Sequence, residues 1–123
     1  MARKTERQAL VTLLATNTTL QAVYDHEVKD FRRVSPIATV HSDGSKLLDR
    51  DGDLSNAFII TLWWKRSTDG GDTENDLDDL SDAIHALILS NNNLYLDENY
   101  SQMAYPVVDG VMYRQERIRV IVI

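Results

Sequence analysis

Residues 57–65 read Ala57-Phe58-Ile59-Ile60-Thr61-Leu62-Trp63-Trp64-Lys65. β-Branched and aromatic side chains dominate this run, and no glycine or proline interrupts it, so it reads as a strand. Successive side chains on a strand point to opposite faces. Phe58, Ile60, Leu62 and Trp64 therefore share one face, and Ile59, Thr61, Trp63 and Lys65 the other. Both faces are largely apolar, which places the strand at the centre of a sheet or in an interface. Trp63 and Trp64 point apart and cannot form one stacking platform for bases or sugars. One belongs to the core, and the other to the core or a subunit contact.

C-terminal to this strand, residues 67–73 are rich in glycine and aspartate and read as a loop. Residues 75–90 then carry Leu77, Leu80, Ile84, Leu87 and Ile88 as one apolar stripe at helical spacing. Asn75 is a suitable N-cap for that helix. Asp76, Asp78, Asp79 and Asp82 crowd its first turns, where the positive end of the macrodipole favours acids. Asn91-Asn92-Asn93 suits a helix stop. Further on, residues 103–108 and 111–114 flank Asp109-Gly110, a strong hairpin signal. Residues 117–123 form a last strand, with Ile118, Val120 and Val122 on one face and Arg117, Arg119, Ile121 and Ile123 on the other.

N-terminal to the central strand, residues 36–41 read as a strand, ended by a turn at Ser42-Asp43-Gly44-Ser45. Residues 5–15 read as a helix with Leu10, Leu13 and Leu14 on its apolar side. Residues 20–24 fit either another helical turn or an extended segment, and residues 25–33 a loop or edge strand. The expected fold is α+β: a single domain over residues 1–123, with a small mixed, mostly antiparallel sheet of about four strands and two helices packed on one face.

Composition narrows the function classes. The chain has 123 residues, enough to bury a core without metal or disulfide help. It has no cysteine, which removes disulfides, thiolate metal sites and cysteine nucleophiles together. No apolar run approaches the ~20 residues of a membrane span. No signal-peptide core follows the basic start, so a protein that stays in the compartment where it is made is expected. The net charge is −6, with net +2 over residues 1–46 and net −8 over residues 47–123. An acidic body repels phosphate and disfavours broad nucleic-acid binding.

Motifs of chemistry fail one by one. The glycines fall in no phosphate-binding frame. Asp49, Asp51 and Asp53 open like a calcium loop, but Leu54 and Ile60 stand where the loop needs its glycine and its closing glutamate. His26-Glu27 opens like a zinc-protease motif, but Asp30 occupies the second histidine's place. His41 and His85 lie on a strand and a helix with no fixed relation. Glu27 and Lys29 match half of a metal-dependent nuclease core, without an upstream strand aspartate to complete it. The aspartates of the 75–90 helix read as a solvated helix start rather than a cation site. No catalytic, cofactor-binding or metal-ligating residue is assigned, and no enzymatic activity is expected.

The order of elements resembles that of the tail terminator (tail completion, minor tail) proteins of long-tailed bacteriophages. It rests on a helix ending in Leu13-Leu14, and on Val23-Tyr24-Asp25 ahead of Pro36-Ile37-Ala38-Thr39-Val40. A hydrophobic strand ending in Trp63-Trp64 follows, then a polar loop, then a helix with Ala83-Ile84-His85-Ala86-Leu87. A closing strand from Tyr113-Arg114 to Ile123 completes it. The resemblance implies a structural virion protein of the phage tail or neck, assembled in the host cytoplasm. It implies a homo-oligomeric ring, commonly a hexamer, that caps the tail tube, ends its polymerisation and joins the tail to the head. The implied partners are further copies of itself, the tail tube protein and a head-completion or neck protein. Genomic DNA would pass through without specific binding, and no membrane is involved. The alternative is a neck or head–tail joining subunit, or another small viral assembly protein. Trp63, Ile121 and Ile123 are the expected subunit-interface residues, because helices on one side of a sheet cover only one of its faces.

Overall fold

The computed structural model describes residues 3–26, 35–47, 54–66, 70–97, 100, 102–108 and 110–123. In chain order these form α1 (Arg3–Leu14), β1 (Ala22–Tyr24), β2 (Ile37–Leu47), β3 (Leu54–Lys65) and α2 (Gly70–Leu89). β4 (Leu94–Leu96), β5 (Gln102–Ala104), β6 (Val107–Val108) and β7 (Val111–Val122) follow. The fold is α+β. Strands run in the order β1-β2-β3-β7-β4, with β5 and β6 also paired to β7. β1 pairs parallel to β2, and the other pairings are antiparallel. Among the described residues, no helix is long and apolar enough to cross a membrane.

The 57–65 stretch is the centre of the sheet, with β2 on one side and β7 on the other. Its alternation sorts the two faces as the sequence predicts. Phe58, Ile60 and Leu62 join Ala38, Val40, Ile118 and Val120 in the main core, with Trp64 packed against it. Leu10 and Leu14 of α1 and Leu77, Leu80, Ile84 and Ile88 of α2 close that core from above. Both helices therefore lie on one face. α1 packs over β1 and β2, and α2 over β3, β7 and β4. The helices are antiparallel: Glu6 near the start of α1 accepts from Asn56 near the start of β3, whereas Glu74 near the start of α2 meets Arg114 at the opposite end of the sheet.

Among the described residues the sheet has seven strands, not about four. Three causes account for the difference. The undecided 20–24 segment contributes β1. Leu94–Leu96 pairs with the end of β7. The 103–108 run is split by Tyr105-Pro106 into β5 and β6, because proline has no N–H for the ladder. Conversely, 111–114 and 117–123 fuse into the 12-residue β7. The hairpin expected at Asp109-Gly110 forms, with Val108 opposite Val111 and Gly110 at φ 79°.

Ser42–Ser45 is not a turn. β2 continues through it as a bulge: Ser42 pairs with Phe58 and Ser45 with Asn56, one extra residue on the β2 side. Gly44, at φ 78°, takes the left-handed conformation that the bulge requires. The helix expected over 75–90 also begins earlier. α2 starts at Gly70, so Asn75 lies inside it and does not cap it, and residues 70–73 are helical rather than loop.

Among the described residues, no helix covers the second face. Ile37 and Tyr113 form a smaller apolar cluster with Ala22, Tyr24, Trp63, Val108 and Val111. The Trp63 and Tyr113 rings meet edge to face at 5.9 Å. Arg119 spans β3 to reach Asp43 of the β2 bulge at 2.7 Å, and also contacts Asp97 just after β4 at 3.0 Å. Ile59, Thr61 and Ile121 on this face are buried.

Candidate functional site

The hairpin edge built by β5, β6 and β7 carries the most exposed apolar chemistry. Met103, Tyr105 and Val107 sit at alternate positions, at 55%, 51% and 60% exposure. Met112, opposite Val107, is 43% exposed. Val108 and Val111 turn into the small cluster on the other face. Alternation thus leaves one side of the hairpin apolar and in water, the kind of patch that marks a contact surface.

Arg114 fixes this hairpin to α2. Its side chain is buried, yet it comes from a strand that also faces the acidic helix. Nη1 donates to the Glu74 backbone oxygen at 3.0 Å, and it lies 2.8 Å from an Asp78 carboxylate oxygen and 3.2 Å from one of Glu74. Nη2 lies 3.3 Å from the Met103 sulfur. Burial pulls the guanidinium pKa down, but the Asp78 hydrogen bond and the charges of Asp78 and Glu74 outweigh it, and the net shift is upward. The Tyr105 hydroxyl bonds the Glu74 carboxylate, which holds its proton above the usual phenol range.

Below this clamp a cavity of about 560 Å³ opens between α2 and the β4–β5 edge. Asp78, Asp82, His85, Asp97, Glu116 and Arg117 line it with Ser81. Ser81, His85 and Glu116 invite comparison with a hydrolytic triad, and the geometry is wrong for one. The Ser81 hydroxyl donates directly to buried Glu116. The His85 Nδ1 lies 2.7 Å from the Ser81 backbone oxygen, so that nitrogen carries its proton and donates it there. It therefore cannot act as base toward the Ser81 hydroxyl, which lies 3.3 Å away.

A second exposed apolar site lies at the other end of β7 and on the other sheet face. Tyr95 is 49% and Ile123 59% exposed. The Ile123 N–H donates to the Asn93 oxygen at 2.9 Å, which seats the terminus beside β4. The distance along β7 from Met112 to Ile123 is about 37 Å at the usual strand rise.

The expected site residues fall as follows. Ile123 is exposed and Trp63 half-buried, but Ile121 is fully buried inside the subunit. β3 flanks it through Ala57 and β4 through Tyr95, so its side chain presents no surface to a partner. Trp63 and Trp64 do face opposite ways, each into a different cluster. Glu27, Lys29, Asp30, Asp49, Asp51 and Asp53 lie outside the described residues. His41 sits on β2 and His85 on α2, and His26 follows β1, held by Asp25 at 2.7 Å. Among the described residues, no group of three or more histidine, aspartate or glutamate side chains is arranged to hold a metal. Sequence reading misses the hairpin patch and the Arg114 clamp. The alternation of Met103, Tyr105 and Val107 is the available signal. Comparison with protein-family models and with curated protein sequences gave no match.

Proposed function

We propose that the protein is a ring-forming structural subunit that caps the tail tube of a long-tailed bacteriophage, ends its polymerisation and joins the tail to the head. The observation that carries this reading is the pair of separate apolar surfaces, the hairpin at one end of β7 and Tyr95 with Ile123 at the other. A small subunit that works alone has no use for two such surfaces. A subunit in a ring needs contacts to its neighbours and a further contact to the structure it caps. The net charge of −6 suits a ring through which DNA slides without sticking. The resemblance in element order supplies the tail-specific part of the reading.

The protein is not an enzyme in this reading, because Ser81, His85 and Glu116 are committed to one another in a way that leaves no activated nucleophile. Incubation with DNA, phosphoesters and peptides in magnesium, manganese or zinc is expected to give no turnover. Turnover lost on Glu116→Gln would refute this.

The direct test of function is tube capping. Gold-labelled protein added to polymerising tail tube protein is expected to mark one end of each tube and to stop growth there. Label spread along the tubes, or absent from them, would refute the terminator reading. Binding to neck particles but not to tubes would favour the joining-subunit alternative.

A further inference from the structure

The second sheet face holds polar side chains that the fold does not use. Gln115 and Arg117 stand at alternate positions of β7 and so share that face. Trp63 and Thr61 are their neighbours on β3, and Ala104 and Gln102 on β5. Gln115 is only 8% exposed, yet its side-chain amide makes no hydrogen bond among the described residues. Arg117 is half-buried, and its Nε is enclosed without an acceptor. Its guanidinium forms no ion pair among the described residues. Arg119, two positions on, shows the contrast, since Asp43 and Asp97 both hold it.

Buried polar groups are normally paired, because an unmet donor loses its hydration without replacement. Here two such groups lie side by side and border one cavity of about 500 Å³, lined by Gln102, Met103, Ala104, Gln115 and Arg117. Ala104 is the partner of Gln115 across the ladder, and its single methyl leaves room that a longer side chain would fill. The Gln102 Oε1 accepts from the Tyr100 hydroxyl at 3.3 Å, which leaves the amide nitrogen to donate. The lining thus combines N–H donors with one positive charge and no carboxylate. Arg117 also borders the acidic cavity beside α2, but no carboxylate there is paired with it.

We propose that Arg117, Gln115 and Gln102 form a binding site for a carboxylate group, carried by a small organic acid or by an acidic side chain of a polypeptide. Because Nε is enclosed, the ligand meets the two terminal guanidinium nitrogens, whose parallel N–H bonds match two carboxylate oxygens. The amides of Gln115 and Gln102 donate to the remaining lone pairs. One negative charge balances the one guanidinium. A phosphate dianion exceeds that balance, and the net charge of −6 repels it. The site lies within a single subunit and does not rest on ring formation.

Calorimetric titration of the full-length protein tests it, with acetate, a blocked aspartate peptide and inorganic phosphate as probes and chloride holding the ionic strength. Both carboxylates are expected to bind saturably and more tightly than phosphate. Tighter binding of the peptide assigns the group to a polypeptide, and tighter binding of acetate to a small acid. Arg117→Gln keeps an N–H donor and removes the charge, and is expected to weaken binding by about tenfold or more. Gln115→Leu removes a nearly buried amide that has no partner. Its binding is expected to fall by a similar factor while its melting temperature rises by about 2–4 °C, a combination that a structural glutamine would not give. Should Arg117→Gln misfold, side-chain amide signals followed by NMR in the wild type decide: shifts at Gln115 and Gln102 support the site, and shifts confined elsewhere overturn it. No saturable carboxylate binding, tighter binding of phosphate, or wild-type binding in either variant overturns the proposal. A Gln115→Leu variant that melts lower than wild type overturns the role of that amide.

Discussion

Ile121→Asp is expected to unfold the protein. Ile121 is fully buried, between Ala57 of β3 and Tyr95 of β4. The substitution removes a side chain whose burial contributes about 1.5–3 kcal/mol. It also places a carboxylate in an apolar site between two strands, and that desolvation costs several kcal/mol more. The sum is comparable to the whole stability of a typical domain, about 5–15 kcal/mol. Thermal melts followed by circular dichroism are expected to lose the cooperative transition. Ile123→Asp, two residues on and 59% exposed, is expected to melt like wild type and to show its effect in assembly alone. Equal melting temperatures for the two variants would contradict the burial of Ile121.

The second large effect concerns association. Val107→Asp with Met112→Asp places two charges on the exposed side of the hairpin while Val108 and Val111 keep its inner side intact. The subunit is expected to fold normally. Losing the burial of two partly exposed side chains costs about 3 kcal/mol per contact, roughly a hundredfold in affinity. A closed ring repeats that loss at every junction, so the oligomer is expected to disappear at concentrations where wild type is assembled. Light scattering at fixed concentration reads the result. A folded double variant that assembles fully would place the contact elsewhere.

Much of the fold can be read from the sequence because it depends on short-range periodicity. The alternation from Phe58 to Trp64 places both faces of β3 correctly, and the stripe from Leu77 to Ile88 finds α2. Gly110 marks the hairpin, since its positive φ is a local requirement. What escapes such reading depends on distant partners. The bulge at Ser42–Ser45 looks like a turn until Asn56 and Phe58 pair across it. Gly70-Gly71 reads as a break, yet α2 runs through it. Arg114 reaches its α2 partners from 40 and 36 positions away in sequence, at Glu74 and Asp78, and Ser81 meets Glu116 from a comparable separation. No window around Arg114 or Glu116 reveals that each is a buried polar side chain with a helical partner. Ile121 is misplaced by sequence reading for a related reason. The second face is closed by Tyr113, Trp63 and the Arg119 clamp, and only tertiary structure brings these together.

The self-association proposed for this chain makes its mass in solution the decisive quantity. Sedimentation velocity over a broad concentration range, with mass from sedimentation equilibrium, measures it. The expected result is one discrete species at a small integer multiple of the 14.0 kDa subunit, most simply six, that gives way to monomer on dilution. A 14.0 kDa monomer at every concentration, or a dimer that grows no further, would contradict it.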